Sequence, residues 1–250
     1  MHLLCEKYLE QYRKNLDNFE QFFESFRSAS ENLDFSYMTE ASSVYSSNIE
    51  GNTLDLNSFM NARMRKEKPK DAREIEDLIQ AYISAQTNTL NEKNFLKTHS
   101  FSSKTLLPLS QRGKYRNDTV WVFGNEWLIY VALEAEHIGR KMAELFTDID
   151  ILLKKNLNPL EVFYYASLIH LTFVHIHPFA DGNGRSARLL EKWFIASKLW
   201  HEFWKLSSEK YYKEHRGQYY QNINLWVNYY ELDYEKCIPF LEMLPKSLDA

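Results

Sequence analysis

Hydrophobic residues recur every three to four positions over most of this sequence, and turn residues are few. Only seven glycines and six prolines interrupt the 250 residues, so the segments between turns are long. The pattern predicts helices over 3–27, 36–50, 71–88, 128–155, 159–176, 184–200, 207–228 and 232–244. We therefore expect an all-α helical bundle.

The helix over 159–176 has the clearest start. Asn158 is suited to the N-cap, Pro159 to the first helical position and Glu161 to the first turn. The helix is apolar on almost every side, which predicts a place at the centre of the bundle. Its apolar run, Val162 to Val174, is too short to span a bilayer.

Two segments depart from the helical pattern. Residues 113–127, GKYRNDTVWVFGNEW, are rich in β-branched and aromatic side chains between Gly113 and Gly124, which predicts a short hairpin or strand. The charged stretch from Arg63 to Glu74 contains Pro69 and predicts a solvated connection. We therefore expect an N-terminal helical region, residues 1–88, and a core with C-terminal helices, residues 89–250.

Composition narrows the class of protein. With 44% hydrophobic and 26% charged residues, the chain can form a sizeable core, and its net charge of −4 disfavours a non-specific nucleic-acid binder. Cys5 and Cys237 lack the spacing of a metal motif and are too few for a disulfide framework. The N-terminus has no secretory apolar run. We expect a cytoplasmic protein with no membrane contact.

The most informative stretch is HIHPFADGNGRSARLL, residues 175–190. Pro178 disfavours helical geometry at His177, so the preceding helix should end there and leave an imidazole suited to general-base chemistry. Gly182 and Gly184 flank Asn183 and permit backbone N–H groups to converge. The loop then enters a helix, whose N-terminus favours an anion.

Charged residues around this loop point to phosphate. Arg185 and Arg188 are neighbours on one helix face, and Asp181 is an oxygen ligand suited to Mg²⁺. A Gly-Asn-Gly turn or an arginine pair alone is more often a plain turn or a solvated face. His175 and His177 could be zinc ligands, but the further ligands of a zinc site are missing nearby. Together, these features favour phosphoryl or nucleotidyl transfer.

The stretch HPFADGNGRSAR resembles the Fic motif HPFx(D/E)GNGRxxR at every fixed position. The upstream HLTFVHIHPF, the segment GKYRNDTVWVFGN and the downstream RGQYY are also similar to the family pattern, so the resemblance covers about residues 35 to 245. The chain is identified as a member of the Fic (filamentation induced by cAMP) family. This implies a Fic-fold helical bundle with a short β-hairpin flap and an N-terminal helical extension.

The resemblance implies transfer of AMP from ATP to a Ser, Thr or Tyr hydroxyl of a target protein. It implies that His177 takes the hydroxyl proton, with Mg²⁺ as the cofactor on Asp181. The phosphates would lie on Gly182, Asn183, Gly184, Arg185 and Arg188, the last at the γ-phosphate. Relatives that act as phosphotransferases resemble GNK or ANK where this chain has Gly182–Gly184, so the glycine favours AMP transfer.

A second motif lies upstream in SSVYSSNIEGN, residues 42–52. Ser46 and Glu50 are one helical turn apart, and Gly51 is a plausible helix end. Taken alone, this is a capped helix with a surface acid. It also resembles the inhibitory motif (S/T)xxxE(G/N) of the family, which implies that Glu50 pairs with Arg188 where the γ-phosphate would bind.

Two further expectations concern ligands. Val120, Trp121 and Val122 form a β-prone edge on which a target segment could pair by strand addition, unless the hairpin simply covers the core. Tyr219 and Tyr220 would border an adenine pocket, although such residues are more often core aromatics.

The sequence is compatible with three functions: AMP transfer, removal of AMP from a modified protein, and nucleotide binding without catalysis. The partners expected are ATP and an unknown target protein. Self-modification and a homodimer are open alternatives. Many relatives carry a winged-helix DNA-binding extension, whereas this chain ends about twenty residues after the expected core, so direct nucleic-acid binding is not expected.

Overall fold

The computed structural model describes residues 3–67, 69–123 and 128–249, with the backbone only for residues 122–123 and 128–129. One antiparallel strand pair accompanies a set of helices. The strands are Trp121–Phe123 (β1) and Leu128–Val131 (β2). The helices are Leu9–Lys14 (α1), Phe19–Ser30 (α2), Phe35–Ile49 (α3), Leu56–Met64 (α4), Lys70–Gln86 (α5), Glu92–Ser102 (α6), Ala135–Lys154 (α7), Pro159–Ile176 (α8), Asn183–Lys198 (α9), Ser208–Glu214 (α10), Arg216–Ile223 (α11), Ile238–Leu241 (α12) and Met243–Lys246 (α13).

The predicted fold class is confirmed, and α8 lies at its centre. Its N-terminus carries the expected caps: Asn158 Oδ1 accepts from the Glu161 N–H at 3.0 Å, and the Glu161 carboxylate accepts from the Asn158 N–H at 3.0 Å. Pro159 occupies the first turn. Nearly every side chain of the helix is buried, because its apolar residues extend around its whole circumference.

Aromatic side chains join the N-terminal helices to α8. Phe19 and Phe23 of α2 pack against Phe163, with ring centroids 5.3 and 6.4 Å apart. Tyr12 of α1 meets Tyr164 edge to face at 5.3 Å. Aromatic pairs of this geometry add about 0.5–1.5 kcal/mol to the burial of their area. One hydrophobic core therefore includes residues from both predicted regions of the chain.

Several predicted helices are shorter than expected. The helix over 3–27 is wrong as a single element, because the chain leaves helical geometry between α1 and α2 in a segment that contains Asn15 and Asn18. The helix over 128–155 begins only at Ala135, since the β-branched and aromatic residues before it form β2. The helix over 207–228 divides after Glu214, and the one over 232–244 is reduced to short turns around α12.

Two helices, α4 and α6, were not predicted. Each has an N-cap that accepts from a backbone N–H: Asp55 from Ser58 at 2.7 Å, and Asn91 from Asn94 at 2.9 Å. The charged stretch from Arg63 to Glu74 is only partly a connection, because α4 continues to Met64 and α5 begins at Lys70. Polar caps outweigh the weak periodicity of these segments.

The β-rich expectation for residues 113–127 is correct for β1, while Gly124 lies outside the described residues. β1 pairs with β2 through Trp121 and Val131, and Val131 also bonds to Val227, N to O 2.7 Å. Cys5 and Cys237 are both free thiols. Over the described ranges, no helix combines the length and apolarity needed to cross a membrane.

Candidate active site

His177 ends α8 in a left-handed conformation, with φ 51° and ψ 58°. Because Pro178 follows, the ordinary helical conformation is disfavoured at this position, and the chain turns away from the helix axis. The imidazole is half-buried, and its Nδ1 lies 3.3 Å from the Val174 carbonyl oxygen. A carbonyl only accepts, so Nδ1 carries the proton and Nε2 has a free lone pair. Burial lowers the pKa of His177 to about 4, against the weaker opposing effects of the Val174 carbonyl and Glu50.

The loop after His177 is closed by Asn183. Its side-chain Oδ1 accepts from the Phe179 N–H at 2.9 Å, and its Nδ2 donates to the Phe179 carbonyl at 2.8 Å. The Asn183 side chain is therefore engaged in shaping the loop, and only its backbone remains available for the expected phosphate contact. Phe179 is buried in the main core, as an anchor for the loop.

The loop leads directly into the N-terminus of α9. Gly182 is the N-cap residue with φ 80°, a conformation that favours glycine, and no side chain caps the helix. No group in the described ranges accepts from the backbone N–H groups of Asn183, Gly184 or Arg185. Unpaired N–H groups at a helix N-terminus form a site for an anion.

Two residues outside the predicted site hold this loop. His99 donates from Nε2 to the Asp181 carbonyl at 3.1 Å, accepts from the Gly113 N–H at 3.0 Å, and stacks on Phe179 with centroids 3.6 Å apart. Arg116 is buried, and its Nε donates to the His177 carbonyl at 2.8 Å. Arg116 belongs to a segment similar to the family pattern, but the sequence does not indicate its contact with His177, and it gives no signal for His99. Both contacts join residues that are far apart in the sequence.

Asp181 has the most accessible carboxylate in the loop, with its side chain 48% exposed. Oδ1 accepts from the Gly182 N–H at 2.5 Å and lies 3.4 Å from Arg185 Nη2. One open carboxylate fits Mg²⁺, which usually takes one or two protein ligands together with phosphate oxygens and water. In the part of the chain that the structure describes, no group of three or more His, Cys, Asp or Glu residues could hold a metal ion. The expected Mg²⁺ would therefore need oxygens from phosphate.

Arg185 lies beside this carboxylate and is nearly buried. Its Nη1 is 3.6 Å from Glu74 and its Nη2 is 3.4 Å from Asp181, while its buried Nε has no hydrogen-bond partner among the described residues. A buried N–H without an acceptor is costly, at about 1–3 kcal/mol. The guanidinium thus has a free donor of the kind that an incoming phosphate oxygen can accept from.

Arg188 is fully buried one turn further along α9. It donates from Nε to Ser46 Oγ at 2.9 Å, from Nη1 to the Tyr219 hydroxyl at 3.0 Å, and from Nη2 to the Ser46 carbonyl at 2.9 Å and Glu50 Oε1 at 2.8 Å. Burial alone would lower the pKa of Arg188, but Tyr219 and Glu50 outweigh it and raise that pKa above its ordinary value.

Glu50 reaches this pair from the end of α3, with its side chain 28% exposed. Burial would raise the pKa of Glu50, but Arg188 and then Arg185 outweigh that effect and lower it. The carboxylate lies against Gly184, where an added Cβ would collide with Glu50 Oε1. Glu50 therefore sits directly over the N-terminus of α9, next to the groups expected to bind phosphate.

The chain around Glu50 is well ordered by hydrogen bonds. Gly51 has φ 97°, and the Asn52 N–H donates back to the Ser47 carbonyl at 3.1 Å. The Asn48 side chain donates to the carbonyls of Asn52 and Leu54 at 3.0 and 2.8 Å. Left-handed glycine and a returning N–H are the usual end of an α-helix. The backbone on both sides of Glu50 is thus held in place.

A second polar contact joins α3 to α9 one helical turn away. Lys192 donates to Ser42 Oγ at 2.8 Å and to Glu209 Oε2 at 2.5 Å. Glu209 also accepts from the Tyr82 hydroxyl at 2.5 Å. Both charged side chains are fully buried. Ser42, Ser46 and Glu50 follow one another at intervals of four residues, and Arg188 and Lys192 are also four residues apart. Their hydrogen bonds therefore hold α3 along one face of α9.

The expected docking edge is β1. Trp121 is 60% exposed, and Val120 contributes its carbonyl to the Ala132 N–H at 3.1 Å. The backbone of Val122 pairs with Tyr130, whereas the Val122 side chain lies outside the described residues. Within the described ranges, no other strand pairs with β1, so its second edge is unpaired there.

The two tyrosines assigned to an adenine pocket lie in different surroundings. Tyr219 is only 1% exposed and contacts Arg188, which does not suit a residue lining an open pocket; its ring is a core aromatic with one polar contact. Tyr220 is 43% exposed, and its hydroxyl donates to the Ile49 carbonyl at 3.0 Å. Only Tyr220 retains a position from which it could meet a bound base.

His170 and His175 are both buried and satisfied by protein groups. His175 donates from Nε2 to the Ile223 carbonyl at 2.9 Å and accepts from the Tyr234 hydroxyl at 3.0 Å. Burial lowers the pKa of His175 to about 4. A histidine with both nitrogens engaged cannot ligate zinc without losing these bonds, which agrees with the absence of zinc spacing in the sequence.

Comparisons with known proteins agree with this geometry. Residues 89–195 match the sequence model of the Fic/DOC family. The chain is similar to the protein named Protein adenylyltransferase Fic of Drosophila willistoni, 31% identical over 156 residues, and to that of Drosophila melanogaster, 30% identical over 156 residues. Each match covers 58% of this chain and 30% of the relative, so the matched region spans less than a third of those proteins.

Solved structures share the fold at lower identity. A Fic family protein from Desulfovibrio desulfuricans has a TM-score of 0.74 at 22% identity, with 92% of this chain and 70% of that chain covered. Fic-1 from C. elegans has a TM-score of 0.65 at 17% identity, covering 93% and 69%. These likenesses establish the fold of the bundle.

Proposed function

Because residues 89–195 match the sequence model of the Fic/DOC family, we propose that the chain is an ATP-dependent protein adenylyltransferase restrained by its own Glu50. The observation that carries the proposal is one twelve-residue segment, His177 to Arg188, that combines an imidazole with a free Nε2, an uncapped helix N-terminus and two buried arginines. The name of the curated relatives supports the same reaction class.

In the proposed reaction, the hydroxyl oxygen of a target side chain attacks the α-phosphorus of ATP. A new P–O bond forms to the target, the bond between the α-phosphorus and the bridging oxygen breaks, and pyrophosphate leaves. The hydroxyl proton passes to His177 Nε2, which is held in the correct tautomer by the Val174 carbonyl. His99 and Arg116 keep the loop in the shape that brings these groups together.

The phosphates would lie on the N–H groups at the start of α9. Arg185 has a buried donor without a partner, and Arg188 would meet the third phosphate. Mg²⁺ on Asp181 would supply positive charge against the developing negative charge of the leaving pyrophosphate. Each group lies next to the segment where the loop enters the helix, so one bound triphosphate could reach them all.

Glu50 would restrain this reaction by competition. Its carboxylate takes the Arg188 Nη2 donor at 2.8 Å and covers Gly184, which is the space that the third phosphate would need. ATP would then bind poorly or in a pose unsuited to in-line attack. One candidate substrate is the chain itself.

The test is label transfer from [α-³²P]ATP with Mg²⁺ to proteins of a cell lysate and to the chain itself. Glu50→Gly should label strongly, wild type weakly, and the Glu50→Gly, His177→Ala double variant not at all. ATP binding without label transfer by Glu50→Gly would reject the transferase and favour a nucleotide-binding module.

Removal of AMP is tested with the same proteins. Pre-labelled target is incubated with wild type and Mg²⁺, and release of labelled AMP is followed. Release by wild type that Glu50→Gly lacks would show that Glu50 orients a water, and the restraint would then be a secondary effect.

A further inference from the structure

Among the described residues, Tyr219 is the one hydrogen-bond partner of Arg188 that lies outside α3 and its C-cap residue Glu50. Of the four hydrogen bonds that Arg188 makes, two go to Ser46 and one to Glu50, and the fourth runs from Nη1 to the Tyr219 hydroxyl at 3.0 Å. If Glu50 departs, Nη1 keeps this bond and Nη2 gains a free donor. The contact at Tyr219 is therefore independent of the restraint.

The Tyr219 hydroxyl is itself held by a buried chain of groups. It lies 3.0 Å from His170 Nε2, and His170 Nδ1 lies 2.8 Å from the Glu191 carboxylate. Arg188 can only donate, so the Tyr219 oxygen accepts from it and directs its own proton to His170 Nε2. His170 then donates from Nδ1 to Glu191, so each of these three hydrogen bonds joins a donor to an acceptor.

Burial makes this chain of contacts stiff. Arg188, Tyr219, His170 and Glu191 are all at most 1% exposed, so water cannot replace any of the bonds. Glu191 also accepts from the Tyr212 hydroxyl at 3.0 Å. The Glu191 carboxylate anchors the far end, since losing either of its two donors would remove a buried hydrogen bond that water cannot replace.

We propose that Tyr219, backed by His170 and Glu191, is a positioning residue that fixes the Arg188 guanidinium for the third phosphate of the nucleotide. This inference rests on the part of the proposed function that places that phosphate at Arg188. Tyr219 does not touch the reacting atoms. Together with the two Ser46 contacts, its hydroxyl fixes the direction in which the Nη2 donor points, so its loss should weaken the preference of the site for a nucleoside triphosphate over a diphosphate.

The experiment compares ATP with ADP, which lacks the third phosphate. Binding is measured by calorimetry with Mg²⁺ in the Glu50→Gly, His177→Ala background, where the restraint is absent and ATP is not consumed. Tyr219→Phe should raise the Kd for ATP about tenfold, the effect of losing one hydrogen bond to a charged group. The Kd for ADP should change less than about twofold, because Arg188 does not meet that ligand.

The matched control is Tyr82→Phe, which removes the hydroxyl of another buried tyrosine, bonded to Glu209 instead of Arg188. It should leave the ratio of the two Kd values unchanged. Glu191→Gln serves as the second variant, because it keeps the shape of the side chain while replacing an accepting oxygen by a donating amide group, and it should lower the ATP preference in the same direction.

If Tyr219→Phe leaves the ratio of the Kd values for ATP and ADP unchanged, for example by weakening the binding of both nucleotides equally, the inference is overturned and Tyr219 has a structural role only. The proposed function is scored separately by label transfer from Glu50→Gly. A lost ATP preference in a protein that transfers no AMP would reject the transferase and keep the positioning role. Failure of the background protein to bind either nucleotide would overturn both.

Discussion

Replacement of Glu50 by glycine tests the link between the α3–α9 contact and activity. The substitution removes the carboxylate that holds Arg188 Nη2 at 2.8 Å and that covers Gly184. It leaves both Ser46 contacts and the Tyr219 contact of Arg188 in place. The fold should therefore persist, while the position expected for the third phosphate becomes open.

The size of the effect follows from the bond that is lost. A hydrogen bond to a charged group contributes about 1.5–3 kcal/mol, and ATP must displace it in the wild-type protein. Removing that competition should raise kcat/KM for AMP transfer by about tenfold to about 150-fold, since each 1.4 kcal/mol is a factor of ten. Loss of the same contact should lower the melting temperature by a few degrees.

The assay is the initial rate of label transfer from [α-³²P]ATP below saturation, together with thermal denaturation of each variant. Glu31→Gly is the matched control, because Glu31 also occupies the residue after a helix, α2, and is exposed. It should not change the rate. An unchanged rate for Glu50→Gly, or an equal rise for Glu31→Gly, would refute the competition at Arg188.

Three further predictions follow from other parts of the site. Burial lowers the pKa of His177 to about 4, so its imidazole stays unprotonated above that pH. The kcat/KM of the Glu50→Gly enzyme should therefore vary less than about twofold between pH 5.5 and 8. A loss of activity with a midpoint near pH 6.5, the ordinary pKa of histidine, would contradict this. Gly184→Ala should lower the free energy of unfolding of the wild-type protein by about 1–3 kcal/mol, because the new Cβ collides with the Glu50 carboxylate. In the Glu50→Gly protein, which lacks that carboxylate, the same substitution should cost clearly less. Equal losses in thermal melts of the two proteins would contradict this. Lys192→Met should lower the free energy of unfolding in urea by about 3–5 kcal/mol, because it leaves the buried Glu209 carboxylate without its cation. The control Lys154→Met, at the exposed pair with Asp150, should lower it by less than about 1 kcal/mol. Similar values for the two variants would show that the buried contact contributes little.

Local signals account for what the sequence predicted well. The cap at Asn158, the helix end imposed by Pro178 and the glycine turn before α9 each depend on neighbouring residues, and the structure has all three. The short helices α4 and α6 begin at the polar caps Asp55 and Asn91, but their hydrophobic residues are only weakly periodic, so the hydrophobic pattern does not predict them.

Contacts between segments that are far apart in the chain could not be predicted from neighbouring residues. His99 meets the loop carbonyl at Asp181 from 82 residues away, and Lys192 meets Ser42 from 150 residues away. Only the packing of the helices brings these pairs together. The pairing of Glu50 with Arg188 was expected because of a family resemblance, since neither residue alone distinguishes an internal contact from a solvated surface charge.

The fastened end of α3 has a consequence for kinetics. The Asn48 side chain and the left-handed Gly51 hold the backbone on both sides of Glu50, so its carboxylate can leave Arg188 by rotation about side-chain bonds alone. Rotation of exposed side chains takes picoseconds to nanoseconds, whereas collective movement of a helix takes microseconds or longer. Relief of the contact would then require no movement of α3, and only the cost of breaking the pair between Glu50 and Arg188 would slow the response of the open arrangement to nucleotide.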